Sequence, residues 1–283
     1  MALTEPTAVA KRFRDAVGRA EDEIDLAEAV LLIAAHADEH LDVPKYLSEL
    51  DTLAASLAEQ LPESSDDADR LRALNRFMFE QQGFGPSLQD YYDPRNSCLD
   101  QVLDRRVGIP ITLSIVYMEI GRRIGLAIDG VPFPGHFLVR CRMGEETIVL
   151  DPFAHGASLS FAELQQRLRA IQGDDITPTD LAYALRAATT KDILTRMLGN
   201  LKAIYVQRQD DYRMLTILEM IVALAPDAAA EVRDRGIVYL RLECFRAALA
   251  DFERFRELAP TADDAGLIRK GVVELRKTAS RLN

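Results

Sequence analysis

The sequence predicts an α+β core preceded by a helical segment and followed by an all-α repeat tail. Three observations carry this. Apolar residues recur at three- and four-residue spacing through the first 83 positions. The period changes to strand-like alternation between residues 127 and 151. Past residue 200, a pattern returns at an offset of 34. Of 283 residues, 48% are hydrophobic and 28% charged, so the chain can bury a core and is not disordered. The length suggests two domains, with a boundary near 175: residues 1–175 for lead-in and core, 176–283 for the repeats.

The elements follow in order. Leu26, Val30, Ile33 and Ala37 make a helical stripe behind the capping residue Asp25. Tyr46, Leu50, Leu53 and Leu57 make another after Pro44. The stretch 61–67 is a break rich in turn and N-cap residues, and a further helix carries Leu71, Leu74, Phe77 and Met78 to a stop near Gly83. Residues 84–97 read as an ordered loop, with Gly85-Pro86, Asp93-Pro94 and Asn96-Ser97 as punctuation. A helix from Cys98 to Arg106 follows. Pro110 then opens a helix over 111–124 that is apolar nearly all round, as a central buried element should be, and Gly125 caps it. Strands are expected over 127–133, 136–142 and 146–151, the last two joined at Met143-Gly144. Helix resumes after Ser160, and 172–178 reads as a linker.

In the tail, Ala223-Leu224-Ala225-Pro226 is echoed by Glu257-Leu258-Ala259-Pro260, 34 residues on. Tyr205 and Tyr239, Leu215 and Leu249, Leu218 and Phe252 match at the same offset, which is the tetratricopeptide period. Gly236 takes a signature position, where the first unit has Lys202. Two units plus a helix over 263–280 make a short array, which is expected to lean on the N-terminal region.

The formal charge of −11 is uneven. Residues 1–90 carry 8 basic and 19 acidic side chains, whereas residues 181–283 carry 17 and 14. An acidic front repels phosphate backbones, so a protein or peptide partner is expected rather than nucleic acid. No apolar stretch approaches the ~20 residues that span a bilayer, and no leader-like segment opens the chain, so a cytoplasmic home away from membranes is expected. The cysteines Cys98, Cys141 and Cys244 are widely spaced and suit a reducing compartment. No Walker loop, GxGxxG or metal-ligand cluster occurs, so no cofactor and no metal is expected.

Four histidines limit the chemistry. His36 and His40 share a helix face at i,i+4 spacing, which reads as a solvated or half-buried face. His136 follows the rigid approach Pro132-Phe133-Pro134-Gly135, and Asp151 closes the partner strand. A turn centred on Met143-Gly144 pairs residues whose numbers sum to 287, which sets His136 opposite Asp151 at about 5 Å between Cβ atoms. A carboxylate so placed fixes an imidazole tautomer, either for catalysis or simply to pin a hairpin. Cys141 faces the other side of its strand. Cys98, near a helix start, is the plausible thiol nucleophile; Thr112 and Ser114 would need a base in contact.

The runs Asn96-Ser97-Cys98-Leu99, Val102 to Ser114, Pro134-Gly135-His136-Phe137-Leu138 and Asp151-Pro152-Phe153 together resemble the SirB family. Leu74-Asn75-Arg76-Phe77, Tyr91-Tyr92-Asp93-Pro94 and Arg196 to Lys202 extend the likeness to about residues 13–280. The resemblance implies a papain/transglutaminase-like core with tetratricopeptide repeats, and a regulatory association. In active transglutaminase-like enzymes a Gly-x-Cys begins the central helix, aimed at a His and an Asp. Here that place reads Gly108-Ile109-Pro110, so proline stands where the nucleophile would be, while His136 and Asp151 match its partners. The expected function is a non-catalytic interaction or regulatory factor whose cleft, lined by His136, Asp151, Asn96, Tyr91, Tyr92 and Pro110, binds an extended peptide. The alternative is a cysteine protease, amidase or acyltransferase using Cys98 with His136 and Asp151.

Overall fold

The structure is a computed structural model that describes residues 7–261. It is a mixed α+β chain that divides into two compact units. One comprises residues 25–34 and 41–197; the other comprises, among the described residues, 7–24, 35–40 and 198–261. The expected helix over 263–280 lies outside the described residues.

The α+β unit gathers helices around one buried helix and backs them with a four-stranded sheet. The first helix of the chain, α1 (Ala8–Val17), belongs to the other unit. Here α2 (Leu26–Ala34) starts behind Asp25, whose Oδ1 accepts the Glu28 N–H at 2.8 Å. It packs on α3 (Val43–Ala58), capped by Asp42 with Pro44 in its first turn. The next helix, α4 (Asp67–Asn75), is capped by Asp66 and widens into a π-type turn over Arg76–Gln81 before Gly83 at φ +71° ends it.

The loop over 84–97 contains a strand that sequence periodicity does not show. β1 (Gly85–Pro86) pairs in parallel with β2 (Val107–Gly108), flanking α5 (Leu99–Arg105). Two-residue strands have no period to read. The central helix α6 (Pro110–Arg123) is buried at every position from Pro110 to Gly121, as its all-round apolarity demands. It ends in a Schellman arrangement: Gly125 at φ +87° donates to Arg122 O, and Leu126 donates to Gly121 O.

The sheet is an antiparallel meander of β3 (Ile128–Val131), β4 (Leu138–Met143), β5 (Glu146–Asp151) and β6 (Ala157–Leu159). The hairpin register differs from the sequence reading. Val139 pairs with Leu150 and Met143 with Glu146, so the turn is Gly144-Glu145, not Met143-Gly144. Gly144 sits at φ +63° in the first central position, where a II′ hairpin turn needs glycine. Paired numbers therefore sum to 289, and Leu138 stands opposite Asp151. A shift by two residues keeps every side chain on its face. After the sheet come α7 (Phe161–Gln172), opened by a Ser160/Glu163 capping box, and α8 (Pro178–Ala184), opened by a Thr177/Asp180 box. Leu164, Leu168, Leu181 and Ala184 bury against Val131, Phe133, Leu138 and Val149.

α9 (Thr190–Arg208) contains the boundary between the units. In the repeat unit, α10 (Asp211–Leu224) and α12 (Phe245–Leu258) begin and end 34 residues apart, and α11 (Ala229–Arg241) lies between them. The periodicity reaches the turns. Gln209 and Glu243 both take φ near +55°, and the following residues Asp210 and Cys244 donate to Tyr205 O and Tyr239 O. Lys202, where the second unit has Gly236, reaches across to Glu231 and Asp234 at 2.6 and 2.7 Å.

Within this unit α1 packs on α10, burying Val9, Ala10, Phe13 and Val17. His36 and His40 lie beyond the end of α2, in a turn rather than on a helix face. His36 Nε2 meets Tyr205 OH at 2.6 Å, while His40 is exposed. A Cβ on Gly236 would fall 2.8 Å from Phe252 Cε1 and 3.2 Å from Asp251 Cβ. Gly236→Val recovers a few tenths of a kcal/mol of helix propensity but overpacks a buried ring at about 1–3 kcal/mol. A net loss of about 1–2 kcal/mol is expected in urea denaturation.

Candidate functional site

The site assembles where three local structures end. The first is the segment Phe133-Pro134-Gly135-His136, closed by His136 N donating to Phe133 O at 3.0 Å. Proline at the second position and Gly135 at φ +69° at the third are what a type II turn needs. Phe133 and Phe137, both buried, anchor its ends, so the turn presents His136 at the surface of the core. His136 thus precedes β4 instead of opening it.

The second is the end of β5. Asp151 Oδ1 accepts the Phe153 N–H at 3.1 Å, capping a 3-10 turn over Pro152–Ala154. Its carbonyl accepts from Gly156 N, whose φ is +74°; a Cβ there would fall 2.0 Å from Asn75 Oδ1. Tyr117 OH of α6 donates to the same Asn75 oxygen at 2.7 Å, so the turn is tied to the central helix. Ser114 Oγ of α6 reaches Phe137 O at 3.5 Å on the other side.

The third is α7, which contributes Arg167. His136 Nε2 lies 2.9 Å from Asp151 Oδ1, and Arg167 Nη1 donates to Asp151 Oδ2 at 3.1 Å. Asp151 is 3% exposed. Burial pushes its carboxyl up, but the His136 hydrogen bond and charge, and then those of Arg167, outweigh burial and hold it below the ordinary carboxylate range. An ionised carboxylate only accepts, so the proton of neutral His136 resides on Nε2 and the lone pair on Nδ1. Nδ1 makes no hydrogen bond among the described residues, and the ring, edge-on to Phe153 at 5.9 Å, is partly open to solvent. The arrangement can accept a proton or a hydrogen bond at Nδ1. Arg167 carries no sequence signal for this role: sixteen residues from Asp151, it reads as one polar position on an amphipathic helix.

The remaining candidates stand on other elements of the same unit. Pro110 is buried at the first position of α6. Cys98 precedes the first residue of α5 and is 2% exposed. Asn96 is fully buried: Nδ2 donates to Ser87 Oγ at 2.9 Å and Asp90 O at 2.7 Å, Oδ1 accepts from Arg105, and its carbonyl accepts Thr112 Oγ1 at 2.8 Å. With no exposed surface, Asn96 holds the 87–96 loop to the start of α6. Tyr91 and Tyr92 stand edge-to-face at 5.4 Å on that loop and are exposed. Cys141 is buried in β4, which pushes its thiol up to about 11. Among the described residues no group of His, Cys, Asp and Glu is arranged to hold a metal ion, and no helix is long and apolar enough to cross a membrane.

Residues 44–199 match the family described as the transglutaminase-like superfamily, and residues 201–272 match a tetratricopeptide repeat. The chain is 36% identical to a UPF0162 protein of Xylella fastidiosa, over 90% of this chain and 91% of the relative. It is 30% identical to a UPF0162 protein of Vibrio cholerae, over 82% and 83%. It is also 32% identical to human F-box only protein 21, over 61% of this chain and 28% of that protein. These comparisons give the likeness as transglutaminase-like with tetratricopeptide repeats; the Xylella and Vibrio relatives carry the name UPF0162 and not SirB.

Proposed function

The chain belongs to the transglutaminase-like superfamily and groups with the UPF0162 proteins, and from that premise we propose that it is a non-catalytic protein-interaction factor. It binds an extended peptide at the His136–Asp151–Arg167 site and engages protein through its repeats. The observation that carries this reading is Pro110 at the first position of α6. Proline offers neither a nucleophile nor an N–H at the place where the resemblance puts a cysteine. A cleft can outlive its reaction, and Nδ1 of His136 is then an acceptor for a peptide N–H. The acidic front supports a protein rather than a nucleic-acid partner, and three cysteines without a disulfide support a reducing, cytoplasmic setting. The likeness to SirB proteins supports a regulatory role.

Iodoacetamide labelling of the native protein tests this. Cys244, half-buried, is expected to react first, with Cys98 and Cys141 modified only on unfolding. Rapid labelling of Cys98 that slows in His136→Ala would overturn the reading in favour of a Cys98–His136–Asp151 enzyme.

A further inference from the structure

Beside the His136 turn, the α+β unit contains a cavity of about 120 Å³. We propose that it receives a proline or small branched aliphatic side chain of an extended peptide whose neighbouring backbone lies against His136. The proposal rests on the peptide-binding reading above and adds the chemistry of the residue selected.

Position is the first argument. The cavity is walled by Pro132 and Pro134, the two prolines of the segment that presents His136, and by Tyr183 and Ala184 of α8. Helix α7 runs beside both places. Arg167 reaches Asp151, and Ile171, one turn further on the same face, comes close enough to Gly135 that a Cβ there would lie 3.1 Å from its Cδ1. A chain lying along the Pro134-Gly135-His136 turn therefore meets the imidazole and the cavity within adjacent residues.

Charge is the second. The ionic groups at the cavity are already engaged. Arg186 pairs with Asp192 at 2.6 Å and lies over the Tyr183 ring at 5.3 Å. Asp180 Oδ2 accepts from both Thr177 N and Thr177 Oγ1 in the α8 cap. An acidic side chain would meet the Asp180 carboxylate, whose partners in the cap are neutral, and would find Arg186 already paired, so the cavity rejects an acidic residue.

Size and surface are the third. An apolar cavity of roughly 150 Å³ holds benzene, so this one admits a pyrrolidine ring, valine or leucine and excludes tyrosine and tryptophan. Its mouth is mixed, with Gln172, Asp180 and Arg186 beside the Pro132, Pro134 and Tyr183 walls. Two exposed apolar side chains stand at or next to it: Tyr183, 71% exposed, in the wall, and Ile171, 54% exposed, beside Gly135. Proline next to an aromatic ring is the pairing used where extended, preordered peptides are recognised, because little conformational entropy is lost.

The test pans a displayed library of random decapeptides on the full chain. It then measures binding of the most enriched synthetic peptide by fluorescence polarisation. Enriched peptides are expected to share proline, valine, isoleucine or leucine at one position. Tyr183→Glu and Ile171→Glu, both at exposed positions and so compatible with folding, are expected to weaken binding at least tenfold. Phe161→Glu, comparably exposed at the first position of α7 and neither lining the cavity nor set against Gly135 as Ile171 is, is expected to change it less than twofold. Peptides that bind and are lost in His136→Ala, yet share no small apolar position or ignore Tyr183→Glu, would overturn the cavity proposal and leave the peptide-binding reading standing. No enrichment over an unrelated protein would overturn both.

Discussion

Asp151→Ala is expected to destabilise the α+β unit by about 3 kcal/mol and to release the His136 ring. The carboxylate is almost fully buried and accepts from three groups: His136 Nε2, Arg167 Nη1 and Phe153 N. Removing it leaves the 3-10 turn uncapped and the two basic side chains without their common acceptor. His136 and Arg167 are both partly exposed and regain water, which keeps the loss below that of a fully buried pair. The effect has a definite pH dependence. The folded carboxyl is held below its ordinary value, so its contribution is complete above the unfolded value near 3.8 and is lost as pH falls through the lower folded value. The stability gap between wild type and Asp151→Asn, followed by urea denaturation, should therefore shrink as pH falls below about 4. A gap that persists undiminished to the lowest pH at which the protein stays folded would contradict the assignment. NMR of the His136 ring should show Nε2–H in wild type and a mixture of tautomers in the variant.

Glu219→Ala is expected to cost the repeat unit about 3–5 kcal/mol, the larger of the two losses. Glu219 is 1% exposed, in the middle of α10. Its Oε2 accepts from Thr7 N and Thr7 Oγ1, and its Oε1 from Tyr239 OH, each near 2.9–3.0 Å. Burial, and then the Glu219 charge, hold the Tyr239 phenol above its ordinary range, so it stays a donor. Without the carboxylate, that hydroxyl is buried unpaired and the N-terminus of α1 loses its anion. A helix of ten residues does not persist without its docking site. Trypsin should cut at Lys11, Arg12 and Arg14 in the variant under conditions that spare wild type. Tyr239→Phe, which removes one donor and leaves the two Thr7 bonds, should cost about 1 kcal/mol. Equal losses in both variants would mean that Thr7 does not share the carboxylate.

What could be read from the sequence was whatever depends on neighbours along the chain. The burial of α6 follows from apolar residues on all sides, its start from Pro110 and its end from Gly125. The repeat follows from a 34-residue echo that recurs even in the left-handed turn residues Gln209 and Glu243. The pairing of His136 with Asp151 was also foreseeable, because alternation sets which face of the hairpin each end occupies. Its geometry was not: the register slid by two, and a type II turn ahead of β4, not the strand itself, delivers the imidazole.

Only the tertiary structure decided the rest. It recruited Arg167 to the carboxylate, turned Asn96 into an internal brace, and gave α1 to the repeat unit through a bond between Thr7 and Glu219, 212 residues apart. Local pattern is written by hydrogen bonds and burial within a few residues, and it leaves a period. A polar contact between distant segments is selected by the packing that brings them together, and it leaves none.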